Sequence, residues 1–212
     1  SHHVATVCTA LLFLALSLVQ GGCSPARHAS PAEGALSLTI LHTNDTHSHI
    51  AGINKYGNAC FDDTDCRGGL ARIATAIRTA KSQNDNVIAL DASDQFQGTL
   101  FYSVNKWPML AELDQHMPYD AMTLGNHEFD EGCLELTRFL AALPFPVLAA
   151  NLKPAKGCPM LKGNYTPYTL LTVRGQKVAV VGIANNEVVS LAAACPRTFF
   201  EDTAACLQRT VR

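Results

Sequence analysis

Asp120-Ala121-Met122-Thr123-Leu124-Gly125-Asn126-His127-Glu128-Phe129-Asp130 sets a short apolar run directly against a cluster of amide, imidazole and carboxylate groups. The run reads as a buried strand over Asp120–Leu124, and Gly125 ends it, so the polar residues fall in the loop that follows. Two earlier stretches repeat the arrangement. Leu36–Leu41 reads as a strand leading into Thr43-Asn44-Asp45-Thr46-His47-Ser48-His49. Val87–Leu90 reads as another, leading into Asp91-Ala92-Ser93-Asp94-Gln95-Phe96-Gln97-Gly98. Between them Leu70, Ile73, Ala74 and Ile77 recur at helical spacing, which predicts a helix running to Lys81 and stopped by Asn84-Asp85-Asn86.

Further along, a helix around Met109–His116 is expected to end before Pro118, and one over Leu134–Leu143 to close at Pro144 and Pro146. Val147–Ala150 follows as a strand. Thr169–Val173 and Lys177–Gly182 read as a hairpin joined across Arg174-Gly175-Gln176. Strands that alternate with helices predict a layered α/β domain with a largely parallel centre. In such a sheet the loops at the carboxyl ends of the strands converge, and ligands bind there. All three polar clusters would meet at that edge.

Composition narrows the field. The chain has 212 residues, with 16 Lys and Arg against 18 Asp and Glu, a net charge of −2. That length suits one α/β domain, or one domain plus part of another, with an ample core. The near-neutral balance argues against a nucleic-acid partner, which calls for a basic excess. Disorder, a coiled coil and a multi-span membrane protein are excluded on the same grounds.

Residues 1–23 carry none of the 34 charged side chains. Within them Val4–Val19 is sixteen uncharged, mostly apolar residues, short of the roughly 20 needed to cross a bilayer. The stretch reads as a signal peptide over 1–23, followed by a flexible linker over 24–35. Gly21-Gly22 before Cys23 resembles a bacterial lipoprotein cleavage site, with Cys23 lipidated and the protein membrane-attached through that lipid. Ordinary cleavage nearby and an uncleaved anchor are the plainer readings. The expected location is outside the cytoplasm, periplasmic or at the cell surface. The first residue is Ser1, so the natural start is expected to lie upstream.

The remaining cysteines, Cys60, Cys66, Cys133, Cys158, Cys195 and Cys206, fit an exported protein with disulfides better than a metal cluster. Cys60 and Cys66 bracket a short loop and form the best-supported pair. Cys195–Cys206 is plausible by proximity, and the partners of Cys133 and Cys158 stay open.

The chemistry lies in the three loops. Asp45 and His47, one residue apart, point to the same side of an extended loop and offer oxygen and nitrogen donors suited to Mn, Fe, Zn or Mg. Asp94 has two carboxylate oxygens and can bridge two metals. Asn126 offers a neutral carbonyl oxygen. His127 need not be a ligand; it can protonate a leaving oxygen or stabilise charge, with Asp130 holding its tautomer. Plainer readings stand beside these. A lone Asp-x-His is commonly a surface pair, Asp91 reads as a strand-end cap behind the site, Glu128 as structural, and His42 as a packed core histidine. His49 and His116 read as exposed. Three polar loops after three strands are what the plain readings leave to coincidence.

With those residues in view, the first, second and third clusters resemble the first three motifs of the 5′-nucleotidase family, within the calcineurin-like metallophosphoesterases. That family includes UDP-sugar hydrolases. The resemblance runs from about Leu36 to Phe200. It implies a metallophosphoesterase-type α/β/β/α sandwich. It also implies two divalent metal ions of unstated identity: Asp45 and His47 on one, Asp94 bridging, Asn126 on the second, His127 catalytic and Asp130 orienting it. The implied reaction is hydrolysis of a nucleotide or related phosphate ester by metal-activated water. UDP-sugar hydrolase, 2′,3′-cyclic nucleotide phosphodiesterase and a non-catalytic surface binding lipoprotein are the alternatives. Four protein ligands are too few for two metals, and the family supplies further histidines from later strands and a separate substrate-binding domain. Residues 36–212 therefore read as the N-terminal portion of a longer enzyme, truncated at its C-terminal end, with little activity alone.

Overall fold

Three parallel strands carry the site. β1 (Thr39–Thr43), β2 (Val87–Asp91) and β3 (Ala121–Met122) lie side by side in that order. The register sets Thr43 opposite Asp91 and Asp91 opposite Met122, so the three strands end at one level. The loops after them leave from a common edge. The computed structural model describes residues 36–60, 65–193 and 198–212. The expected signal peptide, the linker and Cys23 lie outside the described residues. Ser37–Arg212 form one compact unit.

Each helix follows from its sequence. α1 (Leu70–Gln83) turns Ala74 and Ile77 inward, packs on β2 and stops at Asn84 as expected. Lys81 at its end pairs with Asp120 at 2.7 Å, and the same Asp120 oxygen accepts the Ala89 N–H at 2.7 Å. α2 (Leu100–Asp114) begins nine residues before the expected Met109. It is broken at Lys106 (φ 58°), two residues before Pro108. Proline lacks the N–H and its ring clashes with the preceding turn, so the helix restarts there. Leu100 and Val104 stay 80% and 77% exposed, and Tyr102 alone is buried before the break, so the first half shows no repeat of apolar positions for a periodicity to reveal. α3 (Gly132–Ala142) matches its expected span within two residues. Its Phe139 stacks edge-on against Phe96 and Trp107, which fixes α3 and α2 over the loop that holds Asp94.

The expected strand over Asp120–Leu124 shrinks to two residues, and Val147–Ala150 joins the sheet through one parallel bridge, Met122 to Val147, with a second bridge from Leu148 to Thr166 on its other side. Pro146 has no N–H to give, so the ladder cannot extend backward. Beyond it come β4 (Leu152–Lys153), the antiparallel hairpin β5 (Tyr168–Val173) and β6 (Gln176–Val181), α4 (Val188–Leu191), β7 (Phe199–Phe200) paired with β4, and α5 (Thr203–Thr210). The hairpin turns through Arg174 and Gly175, both at positive φ, the geometry that matches strand twist.

Two expectations are corrected. His42 is exposed, not packed in the core; it shares with Ile40, 53% exposed, the uncovered face of an edge strand. Cys206 is a buried thiol, so the Cys195–Cys206 pair does not form, and Cys133 is disulfide-bonded. Cys60–Cys66 is bonded as expected.

Beneath the sheet edge lies Asp114, 2% exposed, with its Oδ2 unpartnered among the described residues. Burial pushes its pKa up to about 8, with the Asp91 and Glu128 charges adding and a Gln95 hydrogen bond opposing. The native state therefore keeps this proton while the unfolded chain loses it above about pH 4. Stability is lost as pH rises through that window, by up to about 1.4 kcal/mol per pH unit from this group. Asp114→Asn mimics the protonated acid. Urea denaturation at pH 6 and 7 should show a variant whose stability falls less steeply than wild type by about one proton. Equal slopes would place Asp114 ionised in the fold.

Candidate metal centre

The loop after β1 is laced to the loop after β2. Asp45, His47 and Ser48 donate their backbone N–H groups to the carbonyls of Ser93, Asp94 and Gln95 at 2.8, 3.0 and 2.9 Å. Asp45, His47, Ser93, Asp94 and Gln97 all hold positive φ, between 42° and 76°. Such backbone costs energy for residues other than glycine and persists where surrounding contacts enforce it, as at functional sites.

The lacing aims three side chains at one point. One donor atom each from Asp45, His47 and Asp94 lies within 4.8 Å of the others. His47 Nδ1 donates to the Phe96 carbonyl at 3.1 Å, which leaves Nε2 bare and facing Asp45 Oδ1 at 3.8 Å. A backbone acceptor on one ring nitrogen is the usual way to fix the ligating tautomer of the other. The donor set of carboxylate oxygens and one imidazole nitrogen thus fits a divalent cation of the Mn, Fe, Zn or Mg class.

Asn126 lines the same open cleft of about 650 Å³ as Asp45 and Asp94. His127, in the one-turn helix His127–Phe129, stands beside this group, its ring 5.2 Å from that of His47. Its Nδ1 donates to Asp130 Oδ2 at 2.8 Å, leaving Nε2 outward. Burial pulls the His127 pKa down, but the Asp130 hydrogen bond and charge outweigh it, so the net direction is up. The structure therefore brings together all six expected site residues: three as a cluster, one on the cleft wall, and a hydrogen-bonded His–Asp pair.

Four features escaped the sequence reading. Gln97 donates to the same Asp130 oxygen at 2.7 Å, closing a His127–Asp130–Gln97 chain. Gly98 and Gly125 leave no room for a Cβ: at Gly98 it would fall 2.3 Å from the His47 carbonyl, and at Gly125 2.0 Å from Asp94 Oδ1. Asn185 and Asn186 form the far wall of the cleft, with Asn186 held by buried Asn151 at 2.7 Å. Asn151 itself clamps Ala184 through both its amide atoms. Only the positions of these residues inside or after polar runs were available as a signal. Asp91 sits where expected, behind the site, accepting from Thr43 and Gln95 at 2.8 Å each.

The calcineurin-like phosphoesterase model matches residues 38–193. The 5′-nucleotidase of Homo sapiens is 40% identical over 184 residues, covering 85% of this chain and 32% of that protein. Among solved structures, a 5′-nucleotidase precursor from Thermus thermophilus superposes with a TM-score of 0.70 at 31% identity, covering 82% of this chain and 34% of that one. The NAD nucleotidase of Haemophilus influenzae gives 0.69 at 31% identity, over 82% and 31%. The chain spans about a third of the length of these relatives. With the strand order, the level sheet edge and the acidic–imidazole cluster, the match places this chain in the calcineurin-like phosphoesterase family.

Proposed function

We propose that this chain belongs to a metal-dependent phosphoric monoester hydrolase of the 5′-nucleotidase type, acting on nucleotides outside the cytoplasm. The convergence of Asp45, His47 and Asp94 donor atoms within 4.8 Å carries the reading. Asp45 and His47 would hold one divalent ion, Asp94 would be shared, and Asn126 would face a second. Bound there, such ions lower the pKa of water and neutralise phosphoryl oxygens. His127, its Nδ1 engaged by Asp130, presents Nε2 to the leaving oxygen and can hand it a proton. Asp130 keeps the ring from turning, and Gln97 keeps Asp130 in place.

Export is supported by the apolar leader and by the Cys60–Cys66 bond, since disulfides persist mainly outside reducing compartments. Cys23 is the proposed lipid attachment point, with residues 24–35 as the linker to the domain over 36–212. Among the described residues no helix is long and apolar enough to cross a membrane. Mass spectrometry of the membrane fraction should find the mature amino terminus at Cys23 carrying acyl chains; an unmodified terminus elsewhere removes the anchor.

The test of function is phosphate release by the full-length protein that carries these residues. The substrates are AMP, UDP-glucose and 2′,3′-cyclic AMP, with Mn²⁺ or with EDTA. Release from AMP that EDTA abolishes and Mn²⁺ restores is expected. A folded, metal-loaded protein that releases no phosphate would refute the hydrolase reading.

A further inference from the structure

Glu128 is the most enclosed charged residue of the site, with 0% exposure. Asp91, Asp94 and Asp114 surround it, so an acid here is electrostatically unfavourable, and burial together with those charges raises its pKa. What offsets that cost is a set of three backbone donors. Glu128 Oε2 accepts the N–H of Gly125 at 2.9 Å and of Asp94 at 3.2 Å, while Oε1 accepts the N–H of Gln95 at 2.8 Å. Two of these donors belong to the loop after β2 and one to the loop after β3. One side chain therefore ties together the segments that carry Asp94 and Asn126. A fourth bond crosses the other way, from the His127 N–H to Asp94 Oδ1 at 3.0 Å. Asp130 also joins the two loops, through the Gln97 and His127 side chains, whereas Glu128 grips backbone on both.

We propose that Glu128 is a positioning residue that sets the spacing between Asp94 and Asn126, and so the geometry of the metal pair. The inference rests on the metal reading above. An amide cannot replace this carboxylate. Whichever way a glutamine turned, its NH₂ group would face at least one backbone N–H, donor against donor. The two loops would then separate, although neither metal-facing side chain had been altered.

The experiment measures Mn²⁺ affinity of the full-length protein by the loss of the free-ion electron paramagnetic resonance signal. Wild type, Glu128→Gln and a control, Leu136→Ala, are compared, each with its Tm. Leu136 is also fully buried but lies in α3 and outside the site, so it reports core damage alone. Glu128→Gln should bind Mn²⁺ about ten- to a hundredfold more weakly, and the bound-ion spectrum should change. Leu136→Ala should lower Tm and leave affinity unchanged. Equal affinity and an unchanged spectrum in Glu128→Gln would overturn the proposal, as would an equal loss of affinity in the control. Wild type that binds no Mn²⁺ would defeat the metal reading, and the proposal with it. Should Glu128→Gln fail to fold, amide hydrogen exchange on metal-free wild type decides. The Asp94, Gln95 and Gly125 amides should be protected together, and free exchange would overturn the proposal.

Discussion

Phosphate release by the full-length protein falls about 10²–10⁴-fold when His127 is replaced by Ala. The loss appears in kcat, with KM little changed. His127 has no donor atom in the Asp45–His47–Asp94 cluster, and its Nδ1 is already committed to Asp130 at 2.8 Å. Removing the ring therefore takes away proton transfer and charge stabilisation without removing a ligand, and Mn²⁺ affinity should stay within a few-fold of wild type. Asp130→Asn should fall between the two, because the ring survives while its orienting acceptor weakens. Gln97→Ala should cost least, since it releases Asp130 at one remove. Steady-state phosphate release for the three variants, beside Mn²⁺ binding, checks the order. A His127→Ala enzyme within threefold of wild type would take His127 out of the chemistry. One that loses Mn²⁺ would make it a ligand.

How much of this was legible depends on where each constraint is written. Strand–loop punctuation is local: an apolar run, then a polar cluster, then a helix. It placed Asp45, His47, Asp94, Asn126, His127 and Asp130 correctly relative to the sheet, because residues after a parallel strand have only one edge to occupy. The register that makes the strand ends level, Thr43 with Asp91 with Met122, is a pairing property and could not be read from any one segment. The same holds for α2. Its first turns expose Leu100 and Val104, so amphipathic spacing was silent there, and only the half after Pro108 was visible.

Two residues were misjudged for a related reason. An apolar neighbourhood in sequence made His42 look buried, yet β1 lies at a sheet edge and the histidine faces outward. Sequence proximity suggested Cys195–Cys206, whereas Cys206 lies buried inside α5 as a thiol. Glu128 and Gln97 sat in plain view within the polar runs. Their work, holding backbone of another loop and orienting another carboxylate, depends on partners 33 or 34 residues away. No spacing rule within a single segment reaches that far.

Gly125→Ala tests the steric side of the same arrangement, and it should disable the metal site while sparing the fold. Gly125 is not among the residues with positive φ, so an alanine there meets no backbone objection. Its Cβ, however, would lie 2.0 Å from Asp94 Oδ1, 2.5 Å from Asp94 Cγ and 2.8 Å from the Asp94 backbone nitrogen. No rotation of Asp94 relieves all three contacts, since one is to backbone. Either the carboxylate swings away from Asp45 and His47, breaking its bond from the His127 N–H, or the two loops part. Both outcomes move the one ligand expected to be shared, so Mn²⁺ affinity should fall about 10–100-fold and activity with it. Gly57→Ala is the contrasting control. It carries the strain of φ +81°, about 1–2 kcal/mol, but a Cβ there meets nothing within 4 Å. It should lower Tm slightly and leave Mn²⁺ binding intact. If Gly125→Ala bound Mn²⁺ as tightly as Gly57→Ala, Asp94 would have to be free to move without consequence, and its place in the site would fall.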